Sequence, residues 1–331
     1  MNPDKKQQIV DTGLELLKNG LVARTWGNIS ARLDKNNFFI SPSGIAYKDI
    51  TVDMISTVNI SNGTYIGHRP SSEYKVHLAS YQNNPNKNYI IHTHQDFATA
   101  ISLNAKAYEN VDGTLDLPLT GKEKAVLGTI KAAEYALPGS DELRDNVFAV
   151  GSADVIFMKH HGILLLGENK TDSMEKAIVL EQASRRIIEE QLTKELVDAV
   201  YADDFLTSDI WKSDEIKSGF RAQLDDMAQI LGKELKVKDT FTPNEKASIT
   251  NINNSSLRTK IVKVYIDKEK GLNIDNDFAD KDALICLLRK AALCRLYTAS
   301  VNAMADLSDE DCEIMHNMYV TDYSRRINCV N

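Results

Sequence analysis

The sequence predicts an α/β fold followed by a smaller α+β segment. Three features predict it. Short extended runs alternate with helix-type periodicity through residues 1–200, as in a sheet flanked by helices. The run Tyr89-Ile-Ile-His-Thr-His94 has the composition of a buried strand. Beyond residue 200 the patterning changes to short helical stretches, a polar linker, one more strand and two closing helices.

A chain of 331 residues suits one medium domain and a smaller one, divided here as 1–200 and 201–331. With 43% hydrophobic and 26% charged residues it has the composition of a soluble globular protein, which excludes disorder as its organising feature. A net charge of −8 argues against nucleic acid or an anionic membrane as partner, since both require a basic face. A small anionic substrate stays compatible, because backbone N–H groups can hold a phosphate without excess Lys or Arg. Cys286, Cys294, Cys312 and Cys329 show no Cys-x-x-Cys spacing and read as reduced thiols of a cytoplasmic protein.

Met1 to Lys18 places Ile9, Leu14, Leu16 and Leu17 among charged residues, a surface helix and not a signal peptide. Gly20 ends it as a left-handed cap. An extended segment follows from Asn28 through Ser41, closed by a turn at Ser41-Pro-Ser-Gly44. Thr57 to Ile60 reads as a strand with a hairpin turn at Asn62-Gly63. Arg69-Pro-Ser-Ser-Glu73 has the chemistry of a helix start, with Val76, Leu78, Ala79 and Tyr81 as its apolar positions. Ala98 to Leu103 suggests a helix, and the stretch to Leu127 carries no assignable pattern. Asp154 to Met158 and Gly162 to Leu166 are strands, and Thr171 to Glu190 is a long helix. A polar linker at Asn244 to Asn254 precedes a strand at Lys260 to Ile266, then helices near Asp280 to Ala299 and Ser308 to Arg326. Val155–Ala183 weakly resembles Ile261–Ala291. As a degenerate partial repeat it would put Lys268 and Glu269 near where a histidine pair stands in the first copy, so that the second copy would bind no metal, and coincidence accounts for it better.

His92 and His94 are one residue apart on a predicted strand, so both imidazoles point to one face, as chelation of a single ion requires. His160-His161 follows a strand. Adjacent strand residues face opposite ways, so only one of that pair can join the first two. A lone His-x-His is more often an incidental surface pair. Here, however, five of seven histidines fall in three short clusters, at His77, at His92 and His94, and at His160 and His161. Three imidazoles with an open position describe a catalytic rather than a structural metal site.

Thr25-Trp-Gly-Asn-Ile-Ser30, Ser41-Pro-Ser-Gly44, Pro70-Ser-Ser-Glu73, His92-Thr-His94 and His160-His-Gly162 occur in the order and spacing of the class II aldolase/adducin family. The resemblance covers residues 5 to 190 and is closest to the pattern of fuculose-1-phosphate aldolases. It implies a three-layer α/β/α domain with a central, mostly antiparallel sheet. It also implies Zn2+ or another divalent metal held by His92, His94 and His161, with Glu73 as the catalytic acid/base. A substrate phosphate would sit among Asn28, Ser43, Gly44, Ser71 and Ser72. The implied reaction makes or breaks a carbon–carbon bond in a small phosphorylated ketose, yielding dihydroxyacetone phosphate and an aldehyde. The implied assembly is a homo-oligomer, a four-fold ring.

On this resemblance His160 is a core neighbour, His77 packs on the inner face of its helix, and residues 201–331 are an extension of unknown role. Trp26 departs from the family's usual small residue beside the phosphate loop. The family's tyrosine proton donors have no residue-by-residue match, with Tyr108 and Tyr135 as uncertain candidates. Sugar-phosphate epimerases and dehydratases share the fold, so the family alone does not give the reaction. The epimerases carry Asp where Glu73 stands, which favours the aldolase. A non-catalytic, adducin-like interaction domain is the reading from another class, and the intact histidines oppose it.

Overall fold

A computed structural model describes residues 3–23, 25–217, 220–235, 237–238, 251–254, 259–267, 271–274, 281–303, 305–319 and 321. The chain divides into two compact units, Met1–Arg186 and Ile187–Asn331.

The first unit is built on an eight-stranded sheet in the order β4-β3-β2-β1-β5-β8-β7-β6. Its strands are β1 (Asn28–Arg32), β2 (Asn37–Ile40), β3 (Ser56–Asn59), β4 (Tyr65–Ile66), β5 (Tyr89–Thr93), β6 (Ile130–Ala133), β7 (Val155–Met158) and β8 (Gly162–Gly167). Among the described residues all neighbouring pairs are antiparallel except β6 with β7. The helices are α1 (Pro3–Lys18), α2 (Tyr74–Asn83), α3 (Asp96–Ser102), α4 (Gly121–Leu127), α5 (Asp141–Ala149) and α6 (Lys170–Leu192), the last running into the second unit.

Alternation along the strands sorts the core into two faces. Phe38, Ile40, Val58, Ile90, Ile156, Met158, Leu164 and Leu166 join Val76, Ala79 and Tyr81 of α2 and Leu143 and Val147 of α5 in one cluster. The alternate positions Ile29, Ala31, Phe39, Ile91, Phe157, Ile163 and Leu165 are equally buried, and α1 and α3 pack on the sheet. Helices therefore cover both faces, the three-layer arrangement expected.

Several local expectations change. Residues 28–41 are not one extended run. The Asp34 carboxylate accepts from the N–H groups of Asn36 and Asn37 at 2.7 and 2.9 Å and turns the chain between β1 and β2. Ser41–Gly44 therefore leaves β2 rather than closing the hairpin, and pairs with a later loop. The unassigned stretch before Leu127 ends in α4, opened by a capping box of Thr120 and Glu123. Strand β6 and helix α5, started by Ser140 accepting from the Leu143 N–H, had no counterpart in the sequence reading.

The second unit holds α7 (Lys194–Tyr201), α8 (Asp214–Lys217), β9 (Phe220–Arg221), α9 (Asp225–Leu231), β10 (Glu234–Leu235), β11 (Val237–Lys238), β12 (Asn251–Asn254), β13 (Thr259–Asp267), β14 (Gly271–Ile274), α10 (Lys281–Ser300) and α11 (Asp309–Met318). Asn251–Asn254, expected as the end of a linker, is instead a strand paired antiparallel to β13. The rest of that linker, Lys268, Glu269 and Cys329 lie outside the described residues. Among the described residues Cys286, Cys294 and Cys312 are not in disulfides, and no helix is long and apolar enough to cross a membrane.

Candidate metal centre

His92 lies on β5 opposite Asn28 of β1 and Leu164 of β8. Asn28, Ser30, Ile90 and His92 thus share the sheet face that α2 covers. Two glycines make this possible. A Cβ at Gly27, where φ is +83°, would stand 2.4 Å from the His92 carbonyl oxygen, and a Cβ at Gly162 would stand 2.4 Å from that of Thr93. Backbone approaches this close admit only glycine.

His161 arrives through a tight turn. His160 adopts φ 61°, unusual for a residue with a side chain, and the His161 N–H donates to the Met158 carbonyl at 3.1 Å. The turn, rather than strand alternation, decides which of the two histidines joins the cluster. His160 instead meets the Tyr135 ring edge-on at 5.3 Å.

The Nε2 atom of His92 is 2.9 Å from that of His94 and 3.1 Å from that of His161. Glu73 reaches the same point, with Oε1 2.7 Å from His161 Nε2 and Oε2 3.3 Å from His92 Nε2. All four ligand atoms lie within 4.8 Å of one another. Nitrogens bound tetrahedrally at about 2.0–2.1 Å would be roughly 3.3 Å apart, so the set matches one divalent ion.

The tautomer agrees. His92 Nδ1 lies 3.0 Å from the Ile163 carbonyl oxygen, which can only accept, so Nδ1 carries the proton. In the neutral ring Nε2 then presents its lone pair to the cluster, the usual arrangement for a ligating histidine. With no metal bound, burial disfavours the charge of Glu73, but its ion pairs and hydrogen bonds with the His161 and His92 rings outweigh burial and hold its carboxyl well below the usual range.

Beside this cluster two loops form a wall. The Ser71 N–H donates to the Ser41 carbonyl at 3.0 Å, the Ser43 N–H donates to that of Arg69 at 3.3 Å, and Pro42 bridges Pro70. The Ser41 hydroxyl accepts from the Ile29 N–H at 3.1 Å, which ties the wall to β1 next to Asn28. Gly44 has φ +74° and open space where a Cβ would stand, and Gly139 approaches the Ser72 carbonyl. The structure therefore brings Ser43, Gly44, Ser71 and Ser72 together next to Glu73.

Two details differ from a bare helix N-terminus. Ser71 already accepts from the N–H groups of Glu73 and Tyr74, through its hydroxyl and carbonyl. The Asn28 carboxamide is held at both ends, by Glu73 and by His77. Trp26 is half-buried, and its carbonyl accepts from the Tyr47 hydroxyl at 3.4 Å. Tyr47 itself escaped the sequence reading. Burial, then the charge of Glu73, push its phenol upward, and Gly13 leaves room for its ring. Tyr108 ends a 3-10 turn at Ala105–Tyr108.

The sheet order and the histidine cluster define a family. Residues 7–188 match the model of the class II aldolase and adducin N-terminal domain, and the chain belongs to that family. It is 36% identical over 163 residues to the 5-methylthioribulose-1-phosphate/5-deoxyribulose-1-phosphate aldolase of Escherichia coli O45:K1, covering 48% of this chain and 72% of the relative. It is 32% identical over 193 residues to the L-ribulose-5-phosphate 4-epimerase of Salmonella paratyphi B, covering 54% and 82%. Among solved structures, an L-fuculose 1-phosphate aldolase superposes with a TM-score of 0.51 at 29% identity, covering 58% of this chain and 89% of that one.

Proposed function

We propose that residues 1–200 form a metal-dependent aldolase domain acting on a small phosphorylated ketose, with Zn2+ as the metal and dihydroxyacetone phosphate as one product. The observation that carries this reading is the convergence of three imidazoles and the Glu73 carboxylate on one point. A divalent ion bound by His92, His94 and His161 would polarise a carbonyl oxygen and stabilise the negative charge that develops on it.

The chain's own groups supply the rest. Glu73 is ionised and within reach of the metal ligands, so it can take a proton from the carbon beside the carbonyl in condensation and return it in cleavage. Ser43, Gly44, Ser71 and Ser72, with the second amide hydrogen of Asn28, would receive the phosphate and fix the distance from it to the reacting carbon. The relatives are named for an aldolase and an epimerase, and Glu at position 73 favours the aldolase over the epimerase reading. An adducin-like scaffold would have no use for the cluster. The domain is expected to work as a homotetramer in the cytoplasm, with residues 201–331 as a separate extension.

Metal-loaded protein should release dihydroxyacetone phosphate from at least one member of a panel of phosphorylated ketoses. Failure across the panel, with the metal present, would reject the aldolase reading. Epimer formation without cleavage would replace it by the epimerase reading.

A further inference from the structure

His77 lies on α2, four residues after its N-cap Glu73, completely buried and not one of the four residues of the metal cluster. It links two residues of the site to the interior. Its Nε2 meets the Asn28 Oδ1 at 2.5 Å and its Nδ1 meets the Ser30 hydroxyl at 2.7 Å. Beyond them, the Asn28 Nδ2 meets Glu73 Oε2 at 2.9 Å, and the Ser30 hydroxyl meets that of Tyr81 at 3.0 Å.

The direction of every bond in this chain follows from its outer end. The Asn28 NH2 group donates to the Glu73 carboxylate, whose oxygens accept. The Asn28 carbonyl oxygen then faces His77, so Nε2 carries the proton and donates. Burial, reinforced by His92 and opposed by Glu73, pushes the His77 pKa down to about 3, so the ring is neutral and its Nδ1 must accept from Ser30. The Ser30 oxygen in turn accepts from Tyr81, whose hydroxyl burial keeps protonated. No member can reverse without setting two donors or two acceptors against each other.

We propose that His77 is a positioning residue: through Asn28 it fixes the orientation of the Glu73 carboxylate beside the metal ligands. This rests on the reading of Glu73 as the proton-transfer group. It gives Asn28 a second duty besides any contact with phosphate. Without the His77 donor, the Asn28 carbonyl oxygen loses its partner and the carboxamide is free to turn, so the carboxylate loses a fixed donor on one oxygen.

The test has two arms on the full chain with zinc bound. In the first, ring 15N–1H correlations of histidine-labelled protein report the His77 tautomer, and the Asn28 side-chain amide reports its protection from exchange. The expected result is a neutral Nε2–H ring in wild type, with Asn28 protection lost in His77→Leu and kept in His77→Gln, whose amide can still donate. A His77 ring protonated at Nδ1, or an Asn28 amide equally protected in His77→Leu, overturns the relay.

The second arm uses whichever ketose phosphate is cleaved. His77→Leu should lower kcat about 10-fold or more with KM and zinc content within 2-fold of wild type, and His77→Gln should restore most of kcat. Equal kcat in wild type and His77→Leu overturns the positioning role. Should His77→Leu fail to fold, Ser30→Ala removes one atom from the same relay. It should leave the Nε2–H tautomer in place but loosen the ring, lowering Asn28 amide protection and kcat together, and unchanged protection with unchanged kcat overturns the proposal. If wild type cleaves no ketose phosphate, the aldolase reading fails and the positioning role falls with it. The tautomer and exchange measurements still decide whether the relay exists.

Discussion

Gly162 lies directly against His92: a Cβ on Gly162 would stand 2.9 Å from Cε1 of the imidazole and 3.3 Å from Cδ2 of His94. The glycine after the histidine pair thus sets the space in which two rings of the candidate metal centre sit. Gly162→Ala must displace either a ring or the Thr93 carbonyl, which is backbone and cannot yield cheaply. Metal affinity should fall by about 10-fold or more, as for loss of a group that orients a ligand. Competition with a chromophoric chelator measures it, and an affinity equal to wild type would contradict the assigned site.

The two adjacent histidines should separate cleanly. His161→Asn removes one ring nitrogen from the cluster and should lose most of the bound metal. His160→Asn should keep it, because Asn tolerates the left-handed conformation found there. Elemental analysis of untagged protein distinguishes them, and equal loss from both would mean that the turn geometry assigned here is wrong. The same measurement on the double variant His92→Ala with His94→Ala should give no stoichiometric metal.

Much of this site is written locally in the chain. His92 and His94 share a face because strand side chains alternate, and Glu73 opens a helix whose start is marked by Pro70-Ser71-Ser72. What the sequence hid depends on distant or weakly patterned groups. His77 looks like a packing residue until Ser30 and Asn28 are placed opposite it by the pairing of β1 with β5. Strand β6 sits at the sheet edge with only its end residues buried, and α5 buries only Leu143 and Val147, so neither shows a clear period. The capping box at Thr120 and Glu123 was a readable signal for α4 in a segment otherwise without pattern. The strand at Asn251–Asn254 is polar throughout except for Ile252, so its pairing is invisible to any hydrophobic period.

Under the proposed function, a change at Glu73 should separate catalysis from binding. Glu73→Gln keeps size and polarity but cannot carry a proton, so turnover should fall on the order of 100-fold or more. Phosphate affinity should change little, since Ser43, Gly44, Ser71 and Ser72 are untouched. Steady-state kinetics and inorganic phosphate inhibition measure the two quantities. Wild-type turnover by this variant would reduce Glu73 to a helix-start residue and remove the mechanism proposed above.

The buried His77 should also leave its mark on stability in acid. Burial, then the neighbouring His92, lower its pKa from 6.5 to about 3, against an opposing pull from Glu73. The folded protein therefore binds fewer protons at this ring than the unfolded chain does between those two values. Linkage then fixes the sign: the contribution is complete above pH 6.5 and is lost as pH falls from 6.5 toward 3, by up to about 1.4 kcal/mol per pH unit. His77→Gln has no group to titrate in that window, so its stability should fall less steeply than that of wild type. Urea unfolding at pH 7.5 and pH 5.5, with a chelator present in both so that metal release does not enter, gives the two slopes. Groups common to both proteins cancel in the difference. Wild type should lose about 1 kcal/mol more than the variant between these two conditions, and parallel losses would mean that His77 is solvated or already charged in the folded protein.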